Sequence, residues 1–241
     1  MNMKKTAYRP RGIFCAAQFL LFALATGMAL AQSEMSITVI GDTTAANHSN
    51  PALGWGWGQY LEAQLRNVKV SNFATPGRST KTFLDSPVWK KTLSTPADYW
   101  LIQFGANDGR KGDERFTEPS GEFKDNLRRM ISDCRGEKAK PILVAPPQVL
   151  GSDRKTPQGS LTPYIAAIRE VAEEDKIPLI DLYDWTGQWY QEVGAGNLDT
   201  IFVENSTAYF TTNGAEQIAH YVATRLSGLI PQIQLAEKSR K

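Results

Sequence analysis

Four short segments of this 241-residue chain contain the side chains that could take part in chemistry. They are residues 41–45 (GDTTA), 74–80 (ATPGRST), 103–108 (QFGAND) and 206–215 (STAYFTTNGA). Their hydroxyl, amide, guanidinium and phenol groups suit attack on an acyl carbon by a hydroxyl, or proton abstraction by a phenol. Hydrolysis by a hydroxyl nucleophile also needs a base, a group that orients this base, and donors for the oxyanion.

The pattern of apolar residues predicts the elements that position these segments. Short apolar runs, typical of strands covered on both faces, occupy residues 36–40, 68–73, 99–104, 141–145 and 178–182. Helical spacing predicts helices over residues 58–65, 123–134, 162–174 and 213–229. This alternation predicts an α/β three-layer sandwich, in which a mostly parallel sheet of about five strands is flanked by helices.

Three of the four segments directly follow predicted strands. Ligands of parallel α/β sheets bind outside the carboxyl ends of the strands, so segments that follow neighbouring strands meet at one edge. The fourth segment precedes the last predicted helix. We therefore expect all four segments to converge on one site.

In order and spacing, the segments resemble the sequence blocks of the SGNH (GDSL-type) hydrolases, specifically the rhamnogalacturonan acetylesterase-like branch. The resemblance covers about residues 34–230 and implies a flavodoxin-like SGNH fold with a carboxylic-ester hydrolase site. The family carries a Ser-His-Asp triad. At the corresponding positions this chain has Thr43 for the nucleophilic Ser, Ser206 for the Asp and Tyr209 for the His.

The same resemblance assigns oxyanion-binding and supporting roles to other residues. Gly77 and Asn107 match the family's oxyanion donors, and Arg78 belongs to the acetylesterase form of the second block. Asp42 is expected to orient its loop by hydrogen bonds. A further position, beyond the triad, departs from the family pattern: Ala106 stands where His is common. Because Gly77 and Asn107 match, we predict that most of the oxyanion hole is retained. Preorganised donors of this type contribute about 3–4 kcal/mol each in catalysis.

The substitution at Tyr209 bears most directly on catalysis. A phenol ordinarily has a pKa near ~10, so it cannot take a proton from a hydroxyl as an imidazole does near neutral pH. The chain has two histidines. His220 would lie about 16 Å further along a continuous helix, out of reach of the site. His48 follows Thr43 closely and is expected to be a solvent-facing loop residue, with a role as substitute base as the alternative.

The N-terminus has the pattern of a secretory signal peptide. Basic residues 4–11 precede an apolar run at 13–29, and Ala29-Leu30-Ala31 offers a cleavage site. Cleavage after Ala31 would leave a single domain of residues 32–241. It would remove four of the 27 basic residues and none of the 25 acidic ones, leaving a net charge of −2. We expect a secreted or periplasmic protein without nucleic-acid or membrane binding, a retained N-terminal anchor being the alternative.

Three functions are compatible with these residues. The first is an acetylesterase-like protein that has lost standard serine hydrolysis and binds a pectin-like polysaccharide or oligosaccharide. The second is a carbohydrate O-acetylesterase with a rewired site, in which Thr43 attacks and His48 or water assists. The third is a polysaccharide lyase or glycosidase that uses Tyr209, with Arg78 and Asn107 neutralising a uronate carboxylate. No cofactor is implied, and no metal cluster is expected.

Aromatic side chains could provide flat faces for sugar rings. Trp55 and Trp57 lie in a Gly-rich stretch near the strand ends, and we predict that these two are exposed. The other candidates are Trp89, Trp185, Trp189 and Tyr209. At least three of the six are expected in the core, because large aromatic side chains are mostly buried. Cys134, alone in the cleaved chain, is predicted to be a small apolar residue on a helix.

Overall fold

The computed structural model contains the strands β1 (Met35–Gly41), β2 (Leu65–Arg66), β3 (Val68–Asn72), β4 (Tyr99–Gln103), β5 (Lys140–Ala145), β6 (Leu179–Asp181) and β7 (Gln234–Leu235). Five of these strands form a parallel sheet in the order β3-β1-β4-β5-β6. All five predicted strands are confirmed to within one residue at each end. The short antiparallel pair of β2 and β7 was not predicted, because two-residue strands carry no readable alternation.

The structure describes residues 34–50, 54–151, 159–204, 206 and 208–237. These belong to a compact unit that begins at Glu34. The predicted signal peptide, with its cleavage site after Ala31, lies outside the described residues. Within these ranges, no helix combines the length and the apolar character that crossing a membrane requires.

Seven α-helices surround the sheet in the described ranges. They are α1 (Gly58–Leu61), α2 (Thr80–Leu84), α3 (Pro87–Leu93), α4 (Glu122–Gly136), α5 (Thr162–Glu174), α6 (Leu182–Val193) and α7 (Thr212–Leu229). The four predicted helices are confirmed, although the first is split into α1 and a 3₁₀ turn, Glu62–Gln64. Three helices were missed: α2 and α3 are short, and α6 begins directly after β6 with Asp181 as its N-cap, so no loop separates strand from helix.

The two faces of the sheet bury separate apolar layers, which confirms the three-layer sandwich. Val39, Leu101 and Val144 pack in one layer with residues of α1, α6 and α7. The next residues along the strands, such as Ile40 and Ile102, pack in the other layer with α2 to α5. Cys134 on α4 belongs to this second layer and is fully buried, as predicted, and burial raises the pKa of its thiol to about 12.

The prediction that Trp57 is exposed is wrong. Its side chain is 0% exposed, and its indole Nε1 donates a hydrogen bond to Gln103 Oε1 at 2.7 Å. A tryptophan can be buried at low cost when its single donor finds a partner, and here the end of β4 supplies that partner. Trp55 is half-buried and packs edge-to-face against Tyr60, with 6.5 Å between the ring centroids. Trp57 is therefore a structural residue and offers no face to a ligand.

The first turn of α7 is pressed against the chain that leads into the fourth segment. The hydroxyl of Thr211 caps α7 by accepting a hydrogen bond from Gly214 N at 3.0 Å, while Thr211 N donates to Ile201 O at 2.8 Å. A Cβ at Gly214 would lie 2.2 Å from Ile201 O, well inside van der Waals contact. Glycine at 214 is therefore required by this close approach.

We expect Gly214→Ala to destabilise the protein, because the added methyl group must push backbone away from backbone. Overpacking of this kind costs about 1–3 kcal/mol in the free energy of unfolding, which a urea titration would measure. Gly228→Ala on the same helix is the matched control, since a Cβ there meets nothing within 4 Å. That change should be neutral or stabilising by up to about 1 kcal/mol. Equal effects of the two changes would contradict this interpretation.

Candidate functional site

The first three segments meet at the carboxyl end of the sheet, as predicted. Thr75 N donates to Gly41 O at 2.9 Å, which joins the loop after β3 to the end of β1. Thr80 N donates to Asp108 Oδ1 at 3.0 Å, which joins the second segment to the loop after β4. A backbone hydrogen bond and a buried carboxylate therefore contribute to holding these loops together.

Residues 54–57 connect the fourth segment to the other three. Trp55 N donates to Phe210 O at 2.9 Å, and Trp57 N donates to Thr44 O at 3.0 Å. Phe210 also forms an isolated bridge with Phe202. Residues 54–57 thus hold the fourth segment next to the first, through one backbone hydrogen bond to each segment.

The hydroxyl of Thr43 lies directly against the backbone amide of Gly77. Gly77 N donates to Thr43 Oγ1 at 2.9 Å, and Thr43 is half-buried. Gly77 has φ +75°, a left-handed conformation that glycine adopts without strain and other residues rarely adopt. An amide this close to a nucleophile position is suitably placed to donate to an oxygen that develops on the attacked carbon.

Asn107 is buried beside the second segment. It is 6% exposed, and its Nδ2 donates to the carbonyl oxygen of Arg78 at 3.2 Å. This bond uses one of the two N–H groups of the amide, so the other stays available for a ligand. Arg78 itself is half-buried. Gly77 and Asn107, the predicted oxyanion donors, therefore lie where the loop after β3 contacts the loop after β4.

Asp42, which was expected to orient its loop, is buried. Its side chain is 1% exposed, and Oδ1 accepts hydrogen bonds from Thr44 N at 3.0 Å, Thr44 Oγ1 at 2.9 Å and Gln103 Nε2 at 3.2 Å. Its Oδ2 has no hydrogen-bond partner within the described ranges. Burial raises the pKa of this carboxyl group to about 6. Asp42 therefore orients its loop, as expected for that residue, and cannot bind substrate directly.

Asp108 performs the equivalent task between the second and third segments. Its Oδ1 accepts from Thr80 Oγ1 at 2.5 Å and from Thr117 Oγ1 at 2.9 Å. Tyr164 on α5 donates to the Asp108 carbonyl oxygen at 2.9 Å. Burial raises the pKa of this carboxyl group, too, to about 6. No cluster of three His, Cys, Asp or Glu side chains suitable for a metal ion occurs in the part of the chain that is described.

The fourth segment keeps the shape of a turn around Ser206. Ser206 Oγ accepts from Ala208 N at 3.1 Å and from Tyr209 N at 2.8 Å. A serine hydroxyl closes such a turn as an aspartate carboxylate would. Tyr209 is 39% exposed, and its Cβ packs close to Gly54. Among the described residues, no hydrogen bond joins the side chains of Thr43, Ser206 and Tyr209 to one another.

The two histidines have different surroundings. His48 Nε2 lies 2.9 Å from the carbonyl oxygen of Thr43, and the imidazole is half-buried. Because a carbonyl oxygen only accepts, Nε2 must carry the proton of this bond, and it serves as a donor to the main chain rather than as a base for the hydroxyl. His220 on α7 contacts Gln64 Oε1 through Nδ1 at 3.1 Å, away from the four segments.

A cleft of about 540 Å³ opens beside Gly77. It is lined by residues of two stretches of the chain, namely Thr75, Pro76, Gly77, Arg78 and Thr82 from one and Asp113, Glu114 and Arg115 from the other. Sequence reasoning missed Arg115, because residues 109–121 carry no apolar spacing that would place them near the site. It also left Gln103 without a role, although a polar amide at the end of an apolar strand was a readable signal.

A family model for GDSL-like lipases and acylhydrolases matches residues 36–197. The chain therefore belongs to the GDSL-like lipase/acylhydrolase family. This match includes the first three segments and ends before Ser206. The sheet order and the flanking helix layers agree with the SGNH hydrolase fold of its structural relatives.

Individual relatives fall in the rhamnogalacturonan acetylesterase-like branch. A probable rhamnogalacturonan acetylesterase of Bacillus subtilis strain 168, YesY, is 30% identical over 201 residues, covering 80% of this chain and 93% of the relative. The rhamnogalacturonan acetylesterase RhgT of the same organism is 28% identical over 220 residues, covering 82% and 92%. The crystal structure of B. subtilis YxiM matches with a TM-score of 0.70 and 26% identity, over 81% of this chain and 57% of that one.

The buried carboxyl groups predict a distinctive pH dependence of stability. A folded-state pKa of about 6 lies above the ordinary value of 3.8, so each of these groups binds more protons in the folded protein than in the unfolded one between these values. The contribution of each group to stability is therefore greatest below about pH 4 and falls as the pH rises through about 6, by on the order of 3 kcal/mol. Urea unfolding between pH 4 and pH 7 would measure this loss.

Asp42→Asn should reduce that loss by about half, because the amide oxygen can accept the same hydrogen bonds without ionising and Asp108 still titrates. Asp113→Asn is the control. Hydrogen bonds from Arg115 hold the pKa of the Asp113 carboxyl group well below its usual range, so its titration falls outside this pH interval. The assignment would be overturned if Asp42→Asn left the pH dependence of the wild-type protein unchanged.

Proposed function

We propose that this protein is an exported, acetylesterase-like protein that binds a pectin-like carbohydrate and lacks standard serine-esterase turnover. One observation carries the proposal: the amide of Gly77 is held 2.9 Å from Thr43 Oγ1, and among the described residues no histidine or carboxylate side chain makes a hydrogen bond to that hydroxyl. The oxygen-binding part of an esterase site is thus present beside a nucleophile position without a base. Residues 36–197 match the GDSL-like family, and the curated relatives YesY and RhgT are named as rhamnogalacturonan acetylesterases.

The parts that bind oxygen atoms of a substrate support the ligand-binding half of the proposal. Gly77 N and one free N–H of Asn107 belong to loops that buried hydrogen bonds hold in place. Donors fixed in this way bind a carbonyl or hydroxyl oxygen whether or not a reaction follows. The signal-peptide pattern supports export, which would bring the protein to extracellular polysaccharides.

The parts that would move a proton support the loss of turnover. Tyr209 is an exposed phenol at the position where the family carries histidine. The hydroxyl of Ser206 accepts two backbone amides of its own turn, so it makes no bond that could orient a base. His48 donates through Nε2 to the Thr43 carbonyl oxygen and makes no hydrogen bond to the Thr43 hydroxyl among the described residues. General-base assistance is usually worth about 10²–10⁴ in rate.

We expect the native protein, without its signal peptide, to release no acetate at enzymatic rates from acetylated pectin or a small aryl acetate. The triple variant Thr43→Ser, Ser206→Asp, Tyr209→His should release acetate at least about 10²-fold faster, because it restores nucleophile, orienting carboxylate and base. The turn at 206–209 should survive, since a carboxylate can accept the amides of Ala208 and residue 209 as the serine hydroxyl does. Acetate quantification on both substrates makes the comparison.

The matched control carries Thr43→Ser and Ser206→Asp together with Tyr209→Phe, so that only the imidazole is missing. It should remain as slow as the native protein. Enzymatic acetate release by the native protein, abolished by Thr43→Ala, would instead establish the rewired esterase. In that case His48→Gln is the next variant, since His48 is the histidine that contacts Thr43.

A further inference from the structure

The cleft beside Gly77 has the geometry of a binding subsite next to the reaction centre. It shares Gly77 with the Thr43 contact, so a ligand whose oxygen lies on Gly77 N extends directly into it. A Cβ at Gly77 would lie 4.0 Å from Arg115 Nη1. The guanidinium of Arg115 therefore stands within reach of a group attached to the same ligand. A volume of about 540 Å³ is large enough for a sugar residue.

Arg115 is held rigidly at the wall of this cleft. Its Nε donates to Asp113 Oδ1 at 2.7 Å, its Nη2 pairs with Asp113 Oδ2, and its backbone amide donates to Oδ1 at 3.0 Å. These bonds fix the plane of the guanidinium and satisfy both oxygens of Asp113. The Nη1 donors make no hydrogen bond in the described residues. A fixed planar cation with free donors is preorganised for a second carboxylate.

Arg78 supplies a second cation in the lining of this cleft. It is half-buried, and its Nη1 makes one long hydrogen bond of 3.5 Å to Thr82 O. No carboxylate forms an ion pair with Arg78 in the described part of the chain. The remaining acidic residue of the cleft, Glu114, is exposed to solvent. In the described residues, Arg78 thus has no ion-pair partner, whereas Arg115 is paired with Asp113 and keeps its Nη1 donors available.

From this arrangement, and resting on the proposed carbohydrate function, we infer that the cleft binds the carboxylate of a uronosyl residue next to the acylated position. Arg78 and Arg115 receive the carboxylate between them, and Gly77 and Asn107 receive the neighbouring oxygen atoms. A planar carboxylate matches the paired N–H groups of a guanidinium, whereas a neutral pentose would leave both cations without a partner. Arg78 and Arg115 are accordingly the specificity-determining residues of the site.

Calorimetric titration of the mature protein with oligogalacturonate and with its methyl ester tests this inference, because the ester removes the negative charge and adds only one methyl group. The free acid should bind at least about tenfold more tightly than the ester. Arg115→Gln and Arg78→Gln should each weaken binding of the acid by about tenfold or more and leave binding of the ester unchanged. Arg115→Lys should retain part of the affinity, since it keeps the charge without the paired donors.

Arg129→Gln, an exposed change on α4 away from the cleft, serves as the control and should have no effect. The inference is overturned if acid and ester bind equally, or if Arg115→Gln weakens both ligands alike, which would indicate a loop disturbance. Neutral xylo-oligosaccharides separate this failure from that of the proposed function. Binding of xylo-oligosaccharides but not of galacturonate contradicts the uronate subsite alone, whereas binding of no carbohydrate contradicts the proposed function itself.

Discussion

Two carboxylates buried at the carboxyl end of the sheet hold the first three loops of the site in place. Asp42 joins the end of β1 to the end of β4, and Asp108 joins the second segment to the third. A buried carboxylate is costly unless hydrogen bonds compensate for its lost hydration, so the donors around each one must stay where they are. Gly77 and Thr43 sit between these two fixed points. The arrangement of oxygen-binding groups is therefore largely a property of the scaffold, to which the hydrogen bond from Gly77 N to Thr43 Oγ1 adds one contact.

The turn at Ser206 shows the same separation between shape and chemistry. An aspartate at this position could both accept backbone amides and orient a base, whereas a serine performs the first task only. The backbone around Tyr209 is fixed from outside, by the contacts of Phe210 with Trp55 and Phe202. The identity of residue 209 can therefore change without moving the loop. A sequence can lose its proton-transfer groups here while the fold retains the geometry in which they would act.

Sequence patterns located the sheet and the four segments because both rest on local signals. Buried parallel strands appear as apolar runs, and their carboxyl ends define one edge of the molecule. Features that depend on a distant partner residue could not be predicted from local sequence patterns. Trp57 looked exposed in its glycine-rich stretch, and only Gln103, 46 residues away, explains its burial. Arg115 lies in a polar loop without periodicity, and it reaches the cleft through a bond to Asp113 that sequence spacing does not reveal.

Binding and turnover depend on different groups in a site of this kind. Hydrogen bonds that ground state and transition state share contribute to affinity, while a base contributes only once a proton moves. Loss of the base therefore lowers the rate and leaves the shared contacts intact. The proposed function assigns the shared contacts to Gly77, Asn107 and the arginines of the cleft, which lie outside the three triad positions, although the Gly77 amide also contacts the Thr43 hydroxyl. A frame of this kind is thus compatible with the carbohydrate-binding role proposed above.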